Sequence, residues 1–169
     1  MDQILARLGF VPASRPVPGR EVAAVLSLSP KPATNDYARF LAAYGGGDFE
    51  HDVVVSCAEP PPQAEQGRCL FGEFFALRDG ESSLVTVWRR AEELLSRGLV
   101  PFASAPGGDI YCFRWKGESV DLVLWDHESG ESYVMAASFH EFLERLEPAP
   151  IAAAGDLSKI TLKLDPDLL

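Results

Sequence analysis

The stretch Ile110-Tyr111-Cys112-Phe113-Arg114-Trp115-Lys116-Gly117-Glu118-Ser119-Val120-Asp121-Leu122-Val123-Leu124-Trp125 decides the fold. Two apolar runs, residues 110–115 and 120–125, flank the polar Lys116-Gly117-Glu118, which is the pattern of a β-hairpin. Trp125 leads into a polar turn, Asp126-His127-Glu128-Ser129-Gly130, and then into Tyr133-Val134-Met135. Three strands joined by short turns predict an antiparallel meander. The strand period of two puts Tyr111, Phe113 and Trp115 on one face and Ile110 and Cys112 on the other. Both faces are apolar. One is expected under helices and the other under something else, a partner among the options.

Outward from the meander, helical spacing takes over. Tyr37, Phe40, Leu41 and Tyr44 fall at i, i+3, i+4 and i+7, and Gly45-Gly46-Gly47 stops that helix, since glycine takes the left-handed position without a Cβ clash. A second helix carries Leu84, Val87, Trp88, Ala91 and Leu95 on one face and stops at Gly98. A third carries Phe139, Phe142, Leu143 and Leu146, with Ser138 and Glu141 in capping-box spacing. A further helix covers residues 21–28. Strands are expected at 52–57, where Val53-Val54-Val55 is β-branched, and at the aromatic-rich 69–77. Helices precede, interrupt and follow the strands without alternating with each one. That predicts an α+β fold, a mostly antiparallel sheet flanked by helices.

The chain has 169 residues, close to one domain at about 150 residues per domain. Prolines and composition divide it into an N-terminal extension, 1–19, a folded domain, 20–147, and a linker with a C-terminal tail, 148–169. Within the tail, residues 160–164 alternate like a short edge strand. The net charge is −10, which argues against direct nucleic-acid binding, since phosphate contacts need clustered cations, and against a polybasic membrane-surface protein. No apolar run reaches the length of a membrane-spanning helix, and the N-terminus lacks a basic start followed by an apolar run. Cys57, Cys69 and Cys112 are odd in number and widely spaced, with no Cys-x-x-Cys, so the pattern contains no zinc knuckle and no redox pair. A reducing, cytoplasmic compartment is the simple expectation.

No catalytic or metal constellation stands out. The histidines, His51, His127 and His140, include no His-x-x-x-His. Asp126-His127-Glu128 offers three ligand types, but neighbours on a turn point in different directions. Gly45-Gly46-Gly47 follows a helix and Gly107-Gly108 precedes a strand, the wrong order for a phosphate-binding loop. Charge is more informative. Between residues 118 and 147 there are eight acidic residues and one basic, Arg145, for a sum of −7. Asp48, Glu50 and Asp52 form a second acidic cluster. On the residues alone an ordinary solvated surface is slightly favoured over an acidic docking face that recruits a basic protein.

Four segments taken together resemble the SUKH superfamily, the Smi/Knr-like proteins. They are Asp36-Tyr37 with Phe40-Leu41 and Gly45-Gly46-Gly47; Leu99-Val100-Pro101-Phe102-Ala103, Pro106-Gly107-Gly108-Asp109 and Tyr111-Cys112-Phe113; Val123 with Trp125-Asp126-His127; and Ala136-Ala137-Ser138-Phe139-His140-Glu141-Phe142-Leu143. The first 20 residues, Glu59-Pro60-Pro61-Pro62 and the tail after Pro148 match nothing in that pattern. The resemblance implies a protein-binding module and no enzyme, with no catalytic residue and no cofactor. Many bacterial members look like cytoplasmic immunity proteins that bind and block toxins such as nucleases, and fungal members resemble regulators of cell-wall synthesis. The expected partner is thus a cognate toxin or another basic protein, with no membrane or nucleic acid, and a monomer is favoured. Asp109, Asp126 and Glu128 are the expected partner contacts. The alternatives are a regulatory or scaffold protein of the same fold, or a hydrolytic enzyme using a carboxylate or His127 near Cys57 or Cys112.

Overall fold

Residue 110 pairs with residue 125, and the register then runs without a break to Lys116 opposite Ser119. The sequence meander is therefore present as β6 (Ile110–Lys116), β7 (Ser119–Trp125) and β8 (Ser132–Ala136). The computed structural model describes residues 1–57, 59–78 and 80–150. The expected strand at 160–164 lies outside them. Among the described residues the fold is α+β, with three antiparallel sheets. The largest adds β5 (Leu99–Ser104) to the meander, in the order β5-β6-β7-β8. A second has β4 (Arg68–Phe71), β3 (Val53–Ser56) and β9 (Leu146–Pro148), in that order, and a third pairs β1 (Phe10–Pro12) with β2 (Gly47–Phe49).

The aromatic stretch expected as one strand over 69–77 is a strand only to Phe71. Beyond it, Phe74 stitches two sheets together. Its N–H donates to the Gly47 carbonyl at 2.8 Å, the Gly47 N–H donates back at 3.2 Å, and the Phe75 N–H donates to Phe102 at 3.0 Å. Gly46 makes this approach possible. It sits at φ 95°, and a Cβ there would lie 2.5 Å from the Phe75 carbonyl oxygen, so only glycine fits.

α3 (Asn35–Tyr44) ends as expected, with Gly45 left-handed at φ 67° and its N–H on the Leu41 carbonyl. The expected second helix is instead two, α4 (Leu84–Arg90) and α5 (Glu92–Ser96), broken at Ala91 (φ −97°, ψ 32°). The break serves two apolar faces. Trp88 belongs to the main core, whereas Leu94 joins Leu99, Cys112 and Val123 in a second cluster. The outer apolar face of the meander is thus covered by the chain's own α5. Leu146 also leaves its expected helix. α6 (Phe139–Glu144) stops before it, and Leu146 pairs with Val55. All three valines of β3 are buried and the strand has a partner on each side, the situation that a continuous apolar run requires. At the start of α6 the Ser138 hydroxyl accepts the Glu141 N–H at 3.1 Å, and the Glu141 carboxylate reaches back to the Ala137 N–H at 2.8 Å. The cap is a capping box displaced by one residue.

The first 19 residues hold elements that local pattern did not announce. α1 (Asp2–Arg7) and β1 put Leu5, Leu8 and Phe10 against the main core, and Val17 is buried there too. Tyr44 donates to the Asp2 carboxylate at 2.9 Å. α2 (Gly19–Leu26) packs Val22 inward. The centre of the core is aromatic: Phe74 has the rings of Phe40 and Phe71 at 4.7 Å and Phe10, Phe102 and Phe139 near 6 Å. None of the described helices is long and apolar enough to cross a membrane.

Cys57, Cys69 and Cys112 are all free. Cys57 and Cys69, twelve residues apart, have sulfurs 3.3 Å apart. The β3–β4 register creates the pair, and spacing along the chain does not reveal it.

Candidate functional site: an acidic groove

Because Ile110 is opposite Trp125, the residues just outside that pair, Asp109 and Asp126, meet at one end of the meander. Asp126 organises the turn into β8. Its Oδ1 accepts the N–H groups of Glu128 (2.8 Å) and Ser129 (3.2 Å), and its Oδ2 accepts the Ser129 hydroxyl at 2.9 Å. The Ser129 bonds, aided by Glu128 N–H and His127, hold the Asp126 carboxyl below the usual carboxylate range. Asp109 ties three segments together. Its Oδ1 accepts the His127 backbone N–H at 3.1 Å and lies 2.9 Å from His127 Nδ1, while Oδ2 accepts the Gln63 amide at 3.1 Å. The Asp109 hydrogen bond raises the His127 pKa above its ordinary value, with the charges of Asp109, Glu128 and Asp126 adding to the effect.

These residues border a groove of about 910 Å³ that runs between β4 and the ends of β6 and β7. All three residues expected from the sequence, Asp109, Asp126 and Glu128, line it. So do Asp52 and Glu65, which the residue-by-residue reading did not select, although Asp52 belongs to the second acidic cluster. Among the described residues that line it, five carboxylates therefore face one guanidinium, that of Arg68, which lies 3.4 Å from Glu147. Leu70 projects from the wall with half its surface exposed.

The −7 segment does not form one continuous face. Asp121 pairs with Arg114 (3.2 Å) and Lys116 (2.8 Å), Glu141 with Arg145 (2.6 Å) and Glu147 with Arg68. What stays concentrated is the groove end, and part of that charge comes from residues distant in sequence.

Asp109, Asp126 and His127 have oxygen or nitrogen atoms within 4.8 Å of one another, the grouping that could hold a cation. Their atoms are already engaged: Asp126 uses both oxygens on its own turn, and Asp109 Oδ1 is on His127. Among the described residues no hydroxyl or thiol is hydrogen-bonded to the His127 ring. Cys112 is fully buried in the second cluster. His140 lies 3.4 Å from Glu144 on the exposed side of α6.

The His127–Asp109 pair makes a pH-dependent prediction. Because the folded state raises the histidine pKa, the contribution of the pair is fully present below about pH 6.5, the ordinary histidine value. It is lost as pH rises through the raised value. In Asp109→Asn the His127 titration, followed by ring-proton NMR, shifts down toward the ordinary range. An unchanged titration would contradict the assignment of the shift to Asp109.

An antiparallel meander, a second three-stranded sheet and flanking helices, with an acidic groove at one end, define an α+β domain. The profile of the SMI1 / KNR4 family (SUKH-1) matches residues 34–145, and the chain belongs to that family. It is similar to the SPbeta prophage-derived uncharacterized protein YokK of Bacillus subtilis (strain 168), with 29% identity over 151 residues, spanning 80% of this chain and 78% of the relative. No solved structure matches it.

Proposed function

We propose that this chain is a protein-binding module that works as an immunity protein in the cytoplasm: it docks a basic toxin domain against the acidic groove and so neutralises it. The groove carries the reading. Its five carboxylates surround an open wall with a half-exposed leucine, an anionic rim around an apolar anchor. Asp109, Asp126 and Glu128 are contacts in this reading, with Glu65 and Asp52 beside them. Toxin nucleases hold nucleic acid on basic surfaces, and an acidic groove suits such a surface, steering it in and then covering it. SUKH family membership supports a protein partner. The Bacillus relative is named as prophage-derived, an origin that fits a gene travelling with mobile conflict systems. No catalytic residue, metal or cofactor takes part.

The test is co-expression with candidate toxin domains drawn from whatever genes neighbour this one. One of them should co-purify with the chain as a stable complex. If none binds, the immunity reading fails. A stable complex with a partner that is not a toxin would replace it with a regulatory or scaffold role.

A further inference from the structure

The β3–β4 register sets Ser56 opposite Arg68, and the next residue, Cys57, donates its N–H to the Gly67 carbonyl at 2.8 Å. Cys57 and Cys69 are thus diagonal neighbours across two antiparallel strands, on one face, with their sulfurs 3.3 Å apart. Cys57 is half-buried, so a small oxidant reaches it, whereas Cys69 is only 6% exposed and lies behind it. Arg145 reaches the same corner, with its guanidinium 3.4 Å from the Ser56 carbonyl. Cys112 is fully buried in the other apolar cluster, which makes it an internal reference.

We propose that Cys57 and Cys69 form a reversible redox modification site, in which a peroxide converts the two thiols into an intramolecular disulfide along one wall of the acidic groove. The Cys57 sulfur attacks the peroxide, the O–O bond breaks, and Cys57 becomes a sulfenic acid with release of water. The Cys69 sulfur then attacks Cys57, the S–S bond forms, the S–O bond breaks, and the hydroxide leaves with the Cys69 proton as a second water. Two thiols lose two electrons to one peroxide. Hydrogen bonding with the Cys69 side chain and backbone, together with the positive charge of Arg145, holds the Cys57 thiol below its ordinary range, which favours it as the attacking group. The bond would fasten β4 to the end of β3 beside Leu70 and enclose the Pro60–Pro62 loop. This inference is independent of the docking reading, because it concerns the chain alone.

The experiment treats the reduced full-length chain with hydrogen peroxide and reads intact mass and thiol count after denaturation. The mass is expected to fall by two hydrogens and the thiols from three to one, with dithiothreitol restoring all three. In Cys69→Ser the mass instead rises by oxygen at Cys57. The proposal is overturned if the wild-type chain keeps three thiols, accumulates oxygen on Cys57, or crosslinks between chains.

Discussion

Replacing Phe74 with alanine is expected to lower the free energy of unfolding by about 3–5 kcal/mol. That is a large part of the roughly 5–15 kcal/mol that a domain of this kind has. The side chain is 1% exposed and sits among the rings of Phe10, Phe40, Phe71, Phe102 and Phe139. The cost therefore combines lost burial with a cavity whose walls are other aromatics. Its backbone also bridges β2 to β5, so the surrounding segments cannot close in on the void without breaking those hydrogen bonds. In urea the midpoint should fall by about 2 M, given slopes of roughly 1–3 kcal/mol per M. Leu28→Ala is the control, since Leu28 is 61% exposed and its loss should leave the midpoint unchanged within error. A Phe74→Ala chain destabilised by less than about 1 kcal/mol would show that the aromatic centre is not where the fold is held.

The second large effect concerns binding. Glu65 and Glu128 are exposed and line the groove, and among the described residues neither holds an ion pair. Reversing both to lysine should therefore leave stability within about 0.5 kcal/mol. Affinity for a basic partner should fall about 100-fold, or roughly 2.7 kcal/mol. Wild-type affinity should also weaken steeply with added salt, and the double variant should have lost most of that slope, because screening acts on the charges it removes. Calorimetry or surface binding across a salt series reads both quantities. An unchanged affinity in Glu65→Lys/Glu128→Lys would place the contact elsewhere on the molecule.

How far the sequence could be read follows from the range of the interactions involved. The meander at 110–125 was legible because period-two alternation and a Lys-Gly-Glu turn are local signals. The same holds for α3 with its glycine stop and for the Ser138 cap of α6. α1 was not legible, being six residues long with no side-chain cap on its first turn; packing of Leu5 and Leu8 decides it. The break at Ala91 was hidden for a related reason. Trp88 and Leu94 serve different apolar clusters, which helical spacing alone does not distinguish. Leu146 changed from helix to strand because β3 offered it a free edge.

The groove was partly legible. Asp126 and Glu128 sat in an evident polar turn, and Asp109 followed a glycine turn. Their meeting depends on the β6–β7 register, and the contributions of Asp52 and Glu65 depend on where β3 and β4 dock. The charge sum of the 118–147 segment overstated the acidic face, since Arg68, Arg114 and Lys116 lie outside the segment and pair with its carboxylates. The Cys57–Cys69 contact was illegible for the same reason: only strand pairing brings those sulfurs together.

The most direct measurement of the central claim is growth of cells that express a toxin domain found to bind this chain together with either the wild-type chain or Glu65→Lys/Glu128→Lys. The groove account predicts that the wild-type chain restores growth and the variant, present at equal level and equally stable, does not. Growth restored equally by both, or by neither, would contradict it.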